Sequence, residues 1–180
     1  MGLDPDHFRR YVVQPTLAQL QGYLPDTPIA SPAAEELLLM TAAHESGGLV
    51  YLDQITGPDD RRLGWAYGLY QIEAATHADV WRTFLADDRY RALRHAVETL
   101  RAPAPGADLQ LVTNLAYATA IARCIYYRDP HALPAADDVA GLAHYAKRVF
   151  NTEDGKATPA AYANAYRRLR TREGLHGSTQ

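Results

Sequence analysis

Apolar residues recur at helical spacing along most of the chain, between short proline and glycine stops. Asp4-Pro5 predicts a first helix, with Asp4 as its N-cap and Pro5 at the first helical position. Pro15 should kink or restart it, because proline lacks the N–H that the helix needs. "LPDTPIA" reads as a loop. Ser31-Pro32 opens a second helix. Its run Leu37-Leu38-Leu39-Met40 is apolar nearly all round, which predicts a central, buried element. Gly47-Gly48 ends it, since glycine accepts the left-handed conformation of a C-terminal stop.

Residues 49–70 have no helical period and carry Gly57-Pro58, Gly64, Gly68 and scattered Tyr and Trp. They read as a long loop or a small hairpin. Loops above about 12–15 residues are usually functional or disordered, and the aromatic rings argue against disorder. Thr76, with Asp79 three residues on, predicts the cap of the next helix. Further helices are expected over about Asp88–Arg101, Asp108–Tyr127 with Asp108 as cap, 135–150 and 159–171, the last opened by Thr158-Pro159. The expected fold class is mainly α, with one loop-rich or hairpin region after the second helix. One domain is expected over 1–172, with 173–180 as a flexible tail.

Composition narrows the function classes. Apolar residues make up 47% of the 180, an ordinary globular share for a single core. The net charge of -3 gives no electrostatic case for nucleic acid. No apolar run approaches the length of a membrane span. The N-terminus "MGLDPDHFRRYVVQP" has acids and arginines where a secretory signal needs an apolar stretch, so synthesis in the cytoplasm without a signal is expected. Cys124 is the single cysteine and reads as a plain buried thiol. The seven histidines, among them His44, His77, His95, His131 and His144, show no metal-ligand spacing. "GLYQIE" has no phosphate-loop pattern. No metal and no cofactor is expected. The basic stretch "YRRLRTR" reads as a solvated helix end.

Glu45 stands out because it follows an oily helix and precedes Ser46-Gly47-Gly48. A helix C-terminus carries roughly half a negative charge, and an apolar wall disfavours an ionised carboxyl. Both raise the pKa of Glu45. A glutamic acid kept protonated near neutral pH can donate a proton to a leaving oxygen, as in glycoside cleavage. The plain alternative is a solvated Glu at a helix end. His44, about 100° round the helix, should be exposed or stand behind Glu45.

"AAHESGG" followed by "GWAYGLYQIEAATHADVW" resembles the lytic transglycosylases and goose-type lysozymes of the lysozyme-like superfamily. The family pattern is a helix ending in Glu-Ser, a loop, and then Gly-Leu-Met-Gln-Ile. Glu45-Ser46 match the first part. Gly68, Leu69, Gln71 and Ile72 match the second, with Tyr70 in the Met position. The likeness covers about residues 36–85. It implies Glu45 as the single catalytic acid/base, and Ser46 orienting the substrate's N-acetyl group or Glu45 itself. It implies that Gln71 hydrogen-bonds in the sugar cleft, that Tyr70 lines the cleft, and that Gly68 belongs to the substrate-binding set. The family also has an Ala-Ala-Tyr-Asn-Ala-Gly motif whose Tyr lies near the catalytic Glu. "GLAHYAKRVFN" is taken as its counterpart here and offers Tyr145. Asn114 and Tyr117 fall where a family cleft Asn could lie.

The activity so implied is cleavage of the N-acetylmuramic acid to N-acetylglucosamine bond of peptidoglycan, with a 1,6-anhydro product and one carboxylate. A hydrolytic muramidase needs a second carboxylate at a defined separation. Asp53 is the candidate, with Thr56, Asp59 and Asp60 beyond it; Asp53 could equally be a turn residue. A third reading is an inactive structural component on the same scaffold. The resemblance further implies a bacteriophage protein carried in the virion and acting on the cell wall. Its partners would be peptidoglycan glycan strands and other phage virion proteins, without membrane insertion.

Overall fold

The computed structural model describes residues 2–52, 66–151 and 157–176, with side chains to 172. The chain starts as one bent helical rod. Helix α1 (Pro5–Phe8) is capped by the Asp4 side chain, which accepts from the His7 N–H. It passes into a π-helical turn, Arg9–Val13, and then into α2 (Gln14–Tyr23). The wider turn falls just before Pro15, where the ordinary ladder loses a donor and meets the proline ring.

Helix α3 (Pro32–Glu45) is capped by Ser31, which accepts from the Ala34 N–H at 3.1 Å. Leu37 through Ala43 are all buried, as the unbroken apolar run predicts. The helix stops at Gly47 and Gly48, with φ of 62° and 86°. The Gly48 N–H turns back to the Ala43 carbonyl at 2.8 Å, satisfying a carbonyl the helix leaves open.

The described part of the following region is a short antiparallel hairpin, β1 (Ala66–Tyr67) with β2 (Ile72–Glu73), pairing Ala66 with Glu73 and Tyr67 with Ile72. It leads into α4 (Ala74–Asp79) and a second π-helical turn, Val80–Phe84. Glu73, not Thr76, precedes α4; Thr76 lies inside it. A 3-10 turn, Asp88–Tyr90, leads into α5 (Arg91–Thr99).

The single helix expected over Asp108–Tyr127 is instead two, α6 (Ala107–Thr113) and α7 (Leu115–Tyr127). Asn114 makes the break. Its side chain accepts from the Tyr117 N–H at 3.0 Å and donates to the Leu100 carbonyl at 2.8 Å. Asn competes well for backbone groups and so favours a cap over a helix interior. Asp108 is not a cap: its carboxylate meets buried His77 at 2.7 Å. The other ring nitrogen of His77 meets the Tyr117 hydroxyl at 2.7 Å, and Trp81 donates to that hydroxyl at 2.8 Å. This network ties α4, α6 and α7 together.

Helix α8 (Val139–Val149), capped by Asp138, and α9 (Pro159–His176) complete a mainly helical fold. α9 runs past the expected end, so the basic stretch lies within it. Arg172 there donates to the Gly48 carbonyl at 2.7 Å. Helices α3 and α7 are central, and α9 packs on both α3 and α8. Cys124 is fully buried in α7, which pushes its thiol up to about 12. No helix among the described residues is long and apolar enough to cross a membrane.

Candidate functional site

Glu45 is the last residue of α3, half-buried where the helix meets α9. Its described polar partner is Tyr162 of α9, whose hydroxyl donates to Oε1 at 2.5 Å. Burial raises the Glu45 pKa above its ordinary value, and the Tyr162 hydrogen bond offsets part of that rise. Glu36, two and a half turns earlier on the same helix, shows the contrast. Burial raises its pKa too, but Arg9 and the Tyr166 hydroxyl hydrogen-bond it and leave it below its ordinary value. The carboxyl with a cation is held ionised as a structural clamp. The carboxyl with no cation among the described residues is held toward its acid form.

Tyr162 is itself held on several sides. His44 stacks on its ring with centroids 3.9 Å apart and planes 30° from parallel. Desolvation pulls the pKa of His44 down, so the ring is neutral at physiological pH. Asn151 makes a looser contact with the Tyr162 hydroxyl, and Lys147 donates to the Asn151 side-chain oxygen at 3.1 Å. That leaves the Asn151 amide hydrogens for the phenol oxygen and the phenol hydrogen for Glu45. Burial, then the nearby Glu45, pushes the Tyr162 phenol well above its usual range, so it stays a donor. Behind Glu45, Tyr126 is buried and pairs its hydroxyl with Thr41 at 2.6 Å.

Other sequence-predicted residues lie elsewhere. Ser46 is fully buried; its hydroxyl donates to the Ala42 carbonyl at 2.6 Å and accepts from the Leu49 N–H at 3.0 Å. It locks the end of α3 and has no hydroxyl to spare for a sugar. Tyr70 is 1% exposed, its hydroxyl 3.2 Å from that of Thr119, so it is core and not a cleft wall. Tyr145 does not reach Glu45. Its hydroxyl donates to the His131 carbonyl at 3.2 Å and to Asp129 at 3.3 Å. Asn114 and Tyr117 are engaged in the cap and the His77 network. Gly68 begins the hairpin turn at φ 72°. Gln71 closes that turn at φ 46° and donates through its amide to the Gly68 carbonyl at 2.7 Å, leaving Oε1 buried without a partner among the described residues. Among the described residues no hydrogen bond joins Gln71 to Glu45 or Tyr162. Asp53, Thr56, Asp59 and Asp60 lie outside the described residues.

Tyr162 is the residue that sequence reading missed. The signal was present: Ala160-Ala161-Tyr162 opens as the family motif does, but Ala163 then displaces the Asn to 164. Tyr162→Phe keeps the ring stack and removes the hydrogen bond. The expected result is a further rise in the Glu45 pKa, read by NMR titration of its carboxyl carbon, because the hydrogen bond that offsets burial is lost. An unchanged titration would show that Tyr162 does not tune Glu45.

Compared with family models, curated proteins and solved structures, the chain matches none of them.

Proposed function

We propose that the chain has a lysozyme-like fold and is a peptidoglycan lytic transglycosylase with Glu45 as its single acid/base. The observation that carries this reading is the Glu45 carboxyl: half-buried at a helix C-terminus, shifted toward its acid form, and hydrogen-bonded by a phenol, with no cation paired to it among the described residues. Tyr162 occupies Oε1, which leaves Oε2 to carry the proton. That proton goes to the bridging oxygen between N-acetylmuramic acid and N-acetylglucosamine as the C1–O bond breaks. The resulting carboxylate, now favoured by the Tyr162 hydrogen bond, takes the proton of the muramyl 6-hydroxyl. The 6-oxygen closes on C1, giving a 1,6-anhydro sugar and the acid form of Glu45. The cycle balances with one carboxyl and no water. The biological setting proposed is a bacteriophage virion that opens the wall locally, its partners being glycan strands and other virion proteins.

Digestion of purified murein sacculi, with products identified by mass, tests the reading. Anhydro-muropeptides are expected. Muropeptides with free reducing ends would replace the transglycosylase with a hydrolase, and no products from the wild-type chain would overturn both enzymatic readings.

A further inference from the structure

A pocket of ≈ 490 Å3 opens between the C-terminal end of α7 and the segment 129–133, and neither Glu45 nor Tyr162 lines it. Tyr90, Tyr126, Tyr127, Tyr145 and Leu133 form much of its wall, and Arg123 lines it from within α7. Arg123 is 3% exposed. A guanidinium has five N–H donors. Here Nε–H is bonded, to the Ile29 carbonyl at 2.8 Å, and the Cζ atom lies 5.1 Å over the Tyr127 ring. Among the described residues no carboxylate pairs with it. The Asp129 carboxylate on the same wall is engaged by Arg148, at 2.7 and 3.1 Å, and by the His131 N–H at 3.0 Å. So one cation of the region is matched and the buried one is not. A buried charge without a counter-charge is destabilising, and proteins ordinarily pair it. Arg123 lines the pocket, and among the described residues no hydrogen bond is made by its terminal nitrogens.

We propose that this pocket is a binding site for a small organic carboxylate. The two terminal nitrogens of Arg123 take the carboxylate oxygens side by side, the geometry a guanidinium fork fits. The body of the ligand packs among the tyrosine rings, which supply flat apolar faces with hydroxyls at their edges. A singly charged, flat group suits the site better than a phosphate dianion, because Asp129 adds negative charge to the same wall. Burial pulls the guanidinium pKa down, so a bound anion relieves a desolvation cost already present in the fold.

The test is calorimetric titration of the full chain with benzoate, with benzamide as the neutral isostere and inorganic phosphate as the competing anion. Benzoate should bind with a dissociation constant on the order of 1 mM, within the range open to so small a ligand. Benzamide should bind at least about tenfold more weakly, for want of the charge-assisted pair. Arg123→Lys keeps the charge and loses the fork, and should weaken benzoate by about tenfold. Leu133→Trp leaves Arg123 in place and fills the half-buried pocket wall. It should cost as much, and it decides the question if the arginine variant fails to fold. Benzoate binding no tighter than benzamide, phosphate binding tighter than benzoate, or benzoate binding unchanged in Leu133→Trp would each overturn the proposal. The outcome is independent of murein cleavage, which Leu133→Trp should leave intact.

Discussion

On the function proposed above, Glu45→Gln is expected to lower murein turnover by about 10²- to 10⁴-fold, the usual worth of a positioned general acid–base. The fold survives, because Gln fills the same space and can accept the Tyr162 hydrogen through its amide oxygen. The stability readout should move the other way. Glu45 titrates in the unfolded chain near 4.5, and burial raises it in the folded protein. A group whose folded pKa is raised holds its proton more tightly when folded. Its contribution is therefore fully present below about pH 4.5 and is lost as pH rises through the folded value. At pH 7 the wild type carries that desolvation cost and the Gln variant does not. The variant should melt higher at neutral pH, by about 2–4 °C for each kcal/mol relieved in a chain of this size. The difference should shrink as pH falls toward 4, where Glu45 is neutral in both states. Paired activity assays and thermal scans across that window check both halves. A variant that is inactive and also destabilised at neutral pH would mean that Glu45 is structural, held like Glu36.

What the sequence shows clearly is what is decided locally. Ser31-Pro32 and Gly47-Gly48 bound α3 through contacts of a few residues, so the placement of Glu45 at a helix end follows from the sequence. The burial of α3 follows as well, since Thr41 is the lone polar residue in Leu37–Ala43 and makes no polar face. The proton partner of Glu45 is a different matter. Tyr162 lies 117 residues downstream, and its local signal, Ala160-Ala161-Tyr162, is only a fragment of the motif, so Tyr145 on another late helix competes with it. Only the packing of α9 on α3 chooses between them. The Glu-Ser motif of the resembling family implies a substrate-orienting role for Ser46. Neighbouring helix positions point about 100° apart, and here the serine turns inward to close the helix while the glutamate does not. Asn114 was hidden by the apolar period running across it. A cap inside such a run shows itself only when its donors and acceptors are traced to Leu100 and Tyr117.

Gly68→Ala should be the most damaging conservative change in the hairpin, and the reason lies in the backbone. Gly68 has φ 72°, a region that costs an alanine about 1–2 kcal/mol. A Cβ there would stand 1.9 Å from the Leu111 carbonyl oxygen and 2.8 Å from its carbon. Both are main-chain atoms of α6, so no side chain can swing aside, and relief requires moving the turn off the helix. Forced shifts of that kind cost about 1–3 kcal/mol. Together these give a loss of about 2–5 kcal/mol, a large part of a typical domain's stability. The melting temperature should fall by about 5–15 °C. Gly22→Ala is the matched control. It sits near the end of α2 with nothing within 4 Å of its would-be Cβ. There the same substitution should stabilise by about 0.5–1 kcal/mol, by cutting the entropy of the unfolded chain. The two changes add the same methyl group and should move the melting temperature in opposite directions. If both shift it alike, the turn does not press on α6 as described. The turn also fixes the left-handed Gln71, whose amide reaches back to the Gly68 carbonyl. On the proposed function, displacing it should lower murein turnover even below the melting transition, whereas Gly22→Ala should leave turnover unchanged.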